Sequence, residues 1–216
     1  AGDTDEQIAL RVRNAIDAGL TVVLCCGESL DTRRAGDTEA WVTRQIRSAF
    51  GQVQPGDDQA PNMAPMTMTY VVRGKINANN EWVDQQTLFN PPADSFRVAA
   101  DHYGTRFLFD KKGHFFWSMG ERHDMQMSQN LASPLGKIHR LNEDGSIPKD
   151  NPCGHTPGAL PSIWSYGHRN PEGLTFDPAT GIFWETEHGP VGGDEVNIIE
   201  PGKNYGWGMA TMGIEP

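Results

Sequence analysis

Apolar and polar residues follow two different patterns along the chain. Near the amino terminus, TDEQIALRVRNAIDAGL places apolar residues three and four positions apart after a capping box, which predicts an amphipathic helix. The next run, LTVVLCCGE, is continuously apolar, as a strand buried on both faces requires. A second helix is predicted to begin at Thr38 in TEAWVTRQIRSAF, with one apolar stripe formed by Val42, Ile46 and Ala49. We therefore expect an α/β segment over residues 1–52.

The pattern changes after a short proline-rich stretch. Residues 53–65 fall within QVQPGDDQAPNMAP, which has three prolines, two adjacent aspartates and no periodicity, and this predicts a linker. From residue 66 onward, short β-rich pieces alternate with turns rich in Gly, Pro, Asn and Asp, and no long helix is predicted. These pieces are MTMTYVVRG, TRFLFD, HFFWSMG, GKIHRLN, GLTFD, GIFWETE and EVNIIE. Residues 66–216 are expected to be all-β.

An internal repeat refines this expectation. RFLFDKKGHFFWSMGER and GLTFDPATGIFWETEHG share an apolar-Phe-Asp sequence, a turn that ends in Gly, an aromatic strand and a charged corner, 67 to 68 residues apart. Each copy predicts a hairpin within a larger unit. A period of this length suits four-stranded propeller blades better than the close strand spacing of a sandwich, so two to three blades are expected.

Composition narrows the classes of function. The chain has 28 acidic and 18 basic side chains and a net charge of -10, which argues against nucleic acid or an anionic membrane as a partner. No apolar run approaches the roughly 20 residues that cross a bilayer, and the opening AGDTDEQ lacks the features of a signal peptide. Cys25, Cys26 and Cys153 show neither a disulfide framework nor a metal-binding spacing.

Several long motifs, in order, resemble one enzyme family. YGHRNPEGLTFDPATGIFWETEHGPVGGDEVNIIEPGKNYGW, with DHYGTRFLFDKKGHFFWSMGER and LGKIHRLNEDGSIPKDNP upstream, is similar to soluble glucose dehydrogenases and aldose sugar dehydrogenases. The resemblance covers residues 66–216 and implies a mainly β fold, part of a six-bladed β-propeller. It also implies oxidation of an aldose sugar at C1 to the lactone, with pyrroloquinoline quinone (PQQ) and Ca2+ as cofactors, an external electron acceptor, and a periplasmic or secreted location.

A second resemblance covers residues 1–50. TDEQIALRVRNAIDAGLTVVLCCGESLDTRRAGDTEAWVTRQI is similar to an internal slice of triosephosphate isomerase. The catalytic Asn-Lys, His and Glu motifs of that family lie outside the slice, which argues against isomerase activity. The chain thus resembles a junction of two families, and a non-catalytic fusion or fragment stays open as an alternative, since the first and last blades of the dehydrogenase family are not matched.

The dehydrogenase resemblance implies a catalytic base and a sugar contact. His102 matches the general base and Asp101 the acid that accompanies it, and an imidazole suits proton transfer near neutral pH. Gln126 falls where the family has a sugar-contacting glutamine, while Glu121 stands where the family more often has Asp. Without the resemblance, the Asp-His pair is typical of a turn and Gln126 of an exposed loop.

The same resemblance implies a cofactor corner. Arg169 matches the residue that hydrogen-bonds the quinone oxygen, and the further matches are Asn170 and His188 beside the cofactor, Gly189 and Pro190 as carbonyl ligands of calcium, and Asp194 as an acid near the site. A structural corner, in which Arg169 pairs with an acid and Asn170 caps a turn, is the alternative for the first two. A plain hairpin loop is the alternative for GPVGGD.

Overall fold

Antiparallel strands are the main regular structure of the described chain. The structure is a computed structural model that describes residues 30–33, 38–47, 67–76, 82–99 and 101–214. The strands are β1 (Leu30–Arg33), β2 (Thr38–Arg47), β3 (Thr67–Ile76), β4 (Trp82–Phe89), β5 (Gly104–Phe109), β6 (His114–Met119), β7 (Lys137–Asn142), β8 (Ile163–Tyr166), β9 (Pro171–Phe176), β10 (Phe183–Glu187) and β11 (Glu195–Ile198). Short 3-10 helices span Ala93–Ser95 and Met125–Ser128. The prediction of a mainly β fold is confirmed.

The strands divide into three sheets. The orders are β1-β2-β3-β4, β5-β6-β7-β8 and β11-β10-β9, so neighbours in each sheet are also neighbours in sequence. The first sheet belongs mainly to one compact unit, and the other two belong to a second unit, which carries all the candidate site residues. Every strand predicted from residue 66 onward is present, whereas β4 and β8 were not predicted.

The helix predicted from Thr38 is wrong. Thr38–Arg47 is strand β2, and it pairs with β1 in an antiparallel register that sets Val42 opposite Leu30. Four of its ten residues are β-branched, and such residues favour strands over helices when a partner strand is available. The first predicted helix, the apolar strand after it and the linker over residues 53–65 lie outside the described residues.

The two copies of the repeat form equivalent hairpins. One joins β5 to β6 and the other joins β9 to β10. In the first turn, Asp110 Oδ1 accepts two backbone N–H bonds of 2.8 and 3.0 Å. In the second, Asp177 Oδ1 accepts two of 2.8 and 3.3 Å. The shared aspartate therefore has the same task in both copies, which is to close the turn with its side chain.

An aromatic cluster joins the two sheets of the second unit. Phe116 of β6 is 3% exposed and is the centre of this cluster. Its ring lies 5.1 to 5.8 Å, edge to face, from three other rings, which belong to Trp164, Phe176 and Phe183. Ile138, Leu174 and Ile199 complete the buried set. This interface fixes β9 and β10 against β6, and those strands lead directly into the candidate site.

Because His139 is buried, we expect the folded protein to lose stability in acid. His139 donates from Nε2 to Pro134 O and accepts from Ser162 Oγ, both at 3.0 Å, and its ring stacks on Trp117. Burial lowers the pKa of His139 to about 3. Because the unfolded chain binds the proton below about pH 6.5 and the folded chain does not, the free energy of unfolding is expected to fall by about 1.4 kcal/mol per pH unit between those values.

Urea denaturation at several pH values, on the natural chain and on His139→Gln, isolates this contribution. The difference between the two free energies should shrink on acidification below about pH 6.5. Parallel pH profiles for the two proteins would contradict the assignment.

Two further observations complete the fold. Cys153 is buried and forms no disulfide, as expected, while Cys25 and Cys26 lie outside the described residues. Within the described ranges, no helix has the length and apolar character needed to cross a bilayer.

Candidate active site

The His102 imidazole is held by a buried carboxylate. Its Nδ1 donates to Oε1 of Glu121, a side chain that is 2% exposed. Glu121 is anchored in turn, because its backbone N–H donates to Arg169 O at 2.8 Å. A carboxylate that accepts from Nδ1 fixes the tautomer and leaves a lone pair on Nε2. That Nε2 accepts no hydrogen bond from the described part of the chain, so it is available to take a proton.

The carboxylate that accompanies His102 is therefore Glu121, and the sequence pairing with Asp101 is corrected. Asp101 Oδ1 instead accepts from His123 Nε2 at 2.6 Å, and both of these side chains are more than half exposed. The His123 ring stacks on the His102 ring with centroids 4.1 Å apart. Adjacency in sequence did not make Asp101 and His102 partners, because the His102 backbone has a φ of +53° and each side chain meets a different residue.

Arg169 lies between a buried carboxyl group and an aromatic ring. Its backbone N–H donates to Glu187 Oε2 at 2.6 Å, and its guanidinium donates to His188 O at 3.1 Å. The guanidinium carbon stands 5.3 Å from the centre of the Trp207 ring, within the range of a cation–π contact. Since a guanidinium has five N–H donors, most of its donors remain for a ligand.

A pair of buried carboxyl groups supports the Arg169 segment. Besides Arg169, Glu187 accepts from His168 Nδ1 at 3.1 Å and from Asn197 Nδ2 at 3.3 Å. Burial, together with the nearby Glu187, raises the pKa of Glu185 to about 9. Glu185 is therefore protonated at neutral pH, and the Glu187 carboxyl group lies beneath the Arg169 backbone.

Close packing joins the His102 segment to Asn170. The Asn170 Oδ1 accepts from Gly104 N at 3.1 Å, and Asn170 O accepts from His188 N at 3.2 Å. Gly120 lies between the two segments, and a Cβ there would collide with the His102 carbonyl oxygen and come within 2.8 Å of Asn170 Oδ1. His102, Asn170 and His188 are consequently linked through direct contacts. The buried Asn170 amide is used for holding this corner together, which fits the structural alternative for this residue.

The Gly189–Pro190 corner presents two free carbonyl groups. Asp194 closes the corner by accepting from Gly189 N at 2.9 Å, and its other oxygen lies 3.7 Å from His188 Nδ1. Neither the Gly189 nor the Pro190 carbonyl oxygen accepts a hydrogen bond from any described residue. Calcium prefers such hard oxygen ligands, so these two residues fit the ion that the sequence implies. Asp194, predicted as an acid near the site, is bonded to the corner.

Gln126 is exposed on the 3-10 helix Met125–Ser128. A fully buried ammonium holds this segment: Lys137 Nζ donates at 2.6 to 2.9 Å to three backbone carbonyls, those of Met127, Ser128 and Leu135. Burial lowers the pKa of Lys137 to about 7. The Gln126 side chain thus projects from a well-anchored segment and has room to bind a ligand.

Two adjoining depressions lie between the Gly189 corner and the 3-10 helix. One lies at the corner and is lined by Arg169, Glu187, His188, Gly189, Gly193, Glu195, Tyr205, Trp207, Ala210 and Thr211. The other reaches the 3-10 helix and is lined by Met125, Trp207, Gly208, Met209, Ala210 and Thr211. Trp207, Ala210 and Thr211 are common to both, so the groove runs from the free carbonyls toward the segment that carries Gln126.

The sequence did not identify Glu121, Glu187 or Trp207 as members of the site. In the sequence, the only signal for Glu187 is the alternation of β10. Glu187 is two positions after Glu185, and the burial pattern places both on the inner face. Trp207 enters the site through its ring, which lies within cation–π range of Arg169. The signal that could have found Glu187 is a carboxylate at an inward-facing position near the end of a strand. Such a group is buried only when it has hydrogen-bond or ionic partners, which are common in functional sites.

Comparison with known proteins assigns the larger part of the chain. Residues 59–216 match the Glucose / Sorbosone dehydrogenase family model, and residues 1–64 match the Triosephosphate isomerase model. The Aldose sugar dehydrogenase YliI of Escherichia coli is 48% identical over 114 residues, which are 53% of this chain and 31% of that protein. The Quinoprotein glucose dehydrogenase B of Acinetobacter calcoaceticus is 52% identical over 73 residues, 34% of this chain and 15% of that protein.

A solved glucose dehydrogenase has the same fold. It superimposes with a TM-score of 0.74 at 32% identity, over 87% of this chain and 52% of that structure. The chain therefore spans about half or less of each relative. The family model covers most of the chain, which belongs through residues 59–216 to the glucose / sorbosone dehydrogenase family.

Proposed function

We propose that the chain is the central portion of a PQQ-dependent enzyme that oxidises an aldose sugar at C1 to the lactone. Its sheets are then two to three blades of a six-bladed propeller. One observation carries the proposal: a carboxylate-bound imidazole is linked through hydrogen bonds to an arginine and to a corner with two free carbonyls. Membership of a sugar dehydrogenase family supports the substrate class.

The first step is removal of a proton from the C1 hydroxyl. His102 Nε2 is the base, because its Nδ1 is already committed to Glu121. When the imidazole gains the proton, the carboxylate of Glu121 stabilises the resulting positive charge. The anchoring of Glu121 N on Arg169 O keeps the base and the arginine in a fixed relation, and such positioning accounts for much of catalysis.

Oxidation at C1 also removes a hydride, which no side chain can accept. PQQ, when bound, supplies that acceptor. Arg169 and His188 would hold it, and the remaining N–H donors of the guanidinium would stabilise negative charge on a cofactor oxygen. The carbonyls of Gly189 and Pro190 would hold Ca2+, and Asp194 keeps the corner in shape by binding Gly189 N. Asn170 positions the two segments against each other.

Gln126 and Asp194 are the proposed sugar contacts, and each follows a residue that lines the groove, Met125 and Gly193 respectively. Both are exposed and both offer groups that hydrogen-bond hydroxyls. The reduced cofactor requires an external electron acceptor, and we place the protein in the periplasm or outside the cell by analogy with its family.

Titration of the purified 216-residue chain with PQQ in the presence of Ca2+, followed by an aldose and a redox dye, tests the proposal. The expected results are saturable PQQ binding that weakens in Arg169→Ala, and dye reduction that depends on sugar. Arg106→Ala, which removes an arginine elsewhere in the unit, is the control for loss of charge.

Failure to bind PQQ would contradict the proposal and favour the alternative of a non-catalytic fusion or fragment. The match of residues 1–64 to a second family is the observation that supports this alternative. PQQ binding without sugar-dependent dye reduction would also reject catalysis by this chain.

A further inference from the structure

We propose that Asp101, His102 and His123 form a site for a transition-metal ion of the Zn2+ class, placed directly on the proposed catalytic base. One ligand atom from each residue lies within 4.8 Å of the ligand atoms of the other two. Two imidazoles and a carboxylate are a ligand set typical of zinc, cobalt and nickel, and differ from the all-oxygen corner at Gly189 and Pro190.

The His102 side is already arranged as in metal sites. Histidine ligands usually donate their second ring nitrogen to a carboxylate, which orients the ring and strengthens the metal bond. His102 does this with Glu121 through Nδ1, which leaves Nε2 for a metal. The hydrogen bond to Glu121 thus orients His102 equally well for metal binding and for proton transfer.

The other two ligands are exposed enough to adjust. The side chains of His123 and Asp101 are 54% and 63% exposed, and their contact at 2.6 Å joins Nε2 to Oδ1. Tetrahedral zinc with bonds near 2.0 Å separates its ligand atoms by about 3.3 Å, so Nε2 of His123 and Oδ1 of Asp101 must move apart. The His123 ring must turn out of its stack on His102, because a metal lies in the plane of each imidazole that binds it.

The segment that carries His123 is anchored next to these ligands. Arg122 donates from Nε to Asp101 O at 2.9 Å and from Nη2 to Ala99 O, so the segments of Asp101 and His123 are joined through Arg122 as well as through their own side chains. Three protein ligands and an open fourth position for water describe the resulting centre.

A metal here has a consequence that rests on the proposed function. It occupies the Nε2 lone pair that the base needs, so zinc would inhibit sugar oxidation. The binding claim itself does not need that function, because no cofactor or sugar takes part.

Calorimetric titration of Zn2+ into the full chain, in millimolar Ca2+ to saturate oxygen-only sites, tests the binding. We expect one zinc per chain, at least tenfold weaker binding in His123→Asn and in Asp101→Asn, and no change in His155→Asn, which removes an exposed histidine elsewhere. Co2+ should give visible absorption bands of a tetrahedral centre that are lost in the first two variants. Circular dichroism checks that each variant is folded.

Three results would overturn the inference: no zinc binding, binding that His123→Asn and Asp101→Asn leave unchanged, or binding that is lost only in Cys25→Ser/Cys26→Ser. Failure of the proposed function looks different, since an inactive chain would still bind zinc with the expected variant pattern. An active chain that binds zinc at this site but resists inhibition would overturn the placement on the base.

Discussion

Replacing His102 with alanine is expected to lower the rate of PQQ-dependent sugar oxidation by at least about 10²-fold, the lower range for loss of a general base. The reason is that the proton of the C1 hydroxyl then has no acceptor, because Glu121 is buried and its backbone is fixed to Arg169. The affinity for PQQ should stay unchanged, since the proposed cofactor contacts come from Arg169 and His188. Steady-state dye reduction and a parallel PQQ titration measure the two quantities.

Glu121→Gln separates orientation from proton transfer. The amide keeps the size of the side chain but cannot stabilise the charged imidazole, so the rate should fall to a value between those of the natural chain and His102→Ala. His155→Ala is the matched histidine control and should be indistinguishable from the natural chain. Full activity in His102→Ala would remove this residue from the mechanism.

Replacing Phe116 with alanine is expected to lower the free energy of unfolding by about 3–5 kcal/mol, the usual cost of emptying a buried aromatic site. The ring is 3% exposed and makes three edge-to-face contacts that join β6 to the sheet of β9 and β10. The loss combines apolar burial, a cavity and aromatic pairing of about 0.5–1.5 kcal/mol per contact. Urea denaturation near neutral pH measures it.

Phe109→Ala provides the comparison, because its ring is only half-buried and lies at the end of β5. It should cost clearly less than Phe116→Ala. Equal losses for the two variants would show that the cluster around Phe116 does not stabilise the interface between the sheets.

The strands of the repeat were predictable because aromatic runs and aspartate-closed turns are local signals. Strand β8 was missed because its four residues stand between turn-forming residues, Pro161 before it and Gly167 after it, and β4 was missed because its centre is polar. The apolar stripe of Val42 and Ile46 fits a helix as well as a strand, and strand pairing decided the outcome. Local patterns therefore identified those strands whose apolar residues and flanking turn residues both favoured a strand.

For the site, the resemblance supplied the residues but not their contacts. His102, Arg169 and Gly189 lie on segments that the structure connects, whereas the pairing of His102 with Glu121 depends on a link between positions 19 residues apart. No periodicity encodes such a link. The same holds for Glu187, whose bond to the Arg169 backbone requires β9 and β10 to be in register.

The alternation of β10 makes the site sensitive to chain length at this strand. Phe183, Glu185 and Glu187 face inward while Trp184 and Thr186 face outward, and Arg169 depends on Glu187. A single inserted residue ahead of Glu185 would reverse every later side chain and send both carboxyl groups to the solvent. Insertions there would dismantle the support of the arginine even if no residue of the groove were altered, whereas the loop after Gly189 could lengthen with the support intact.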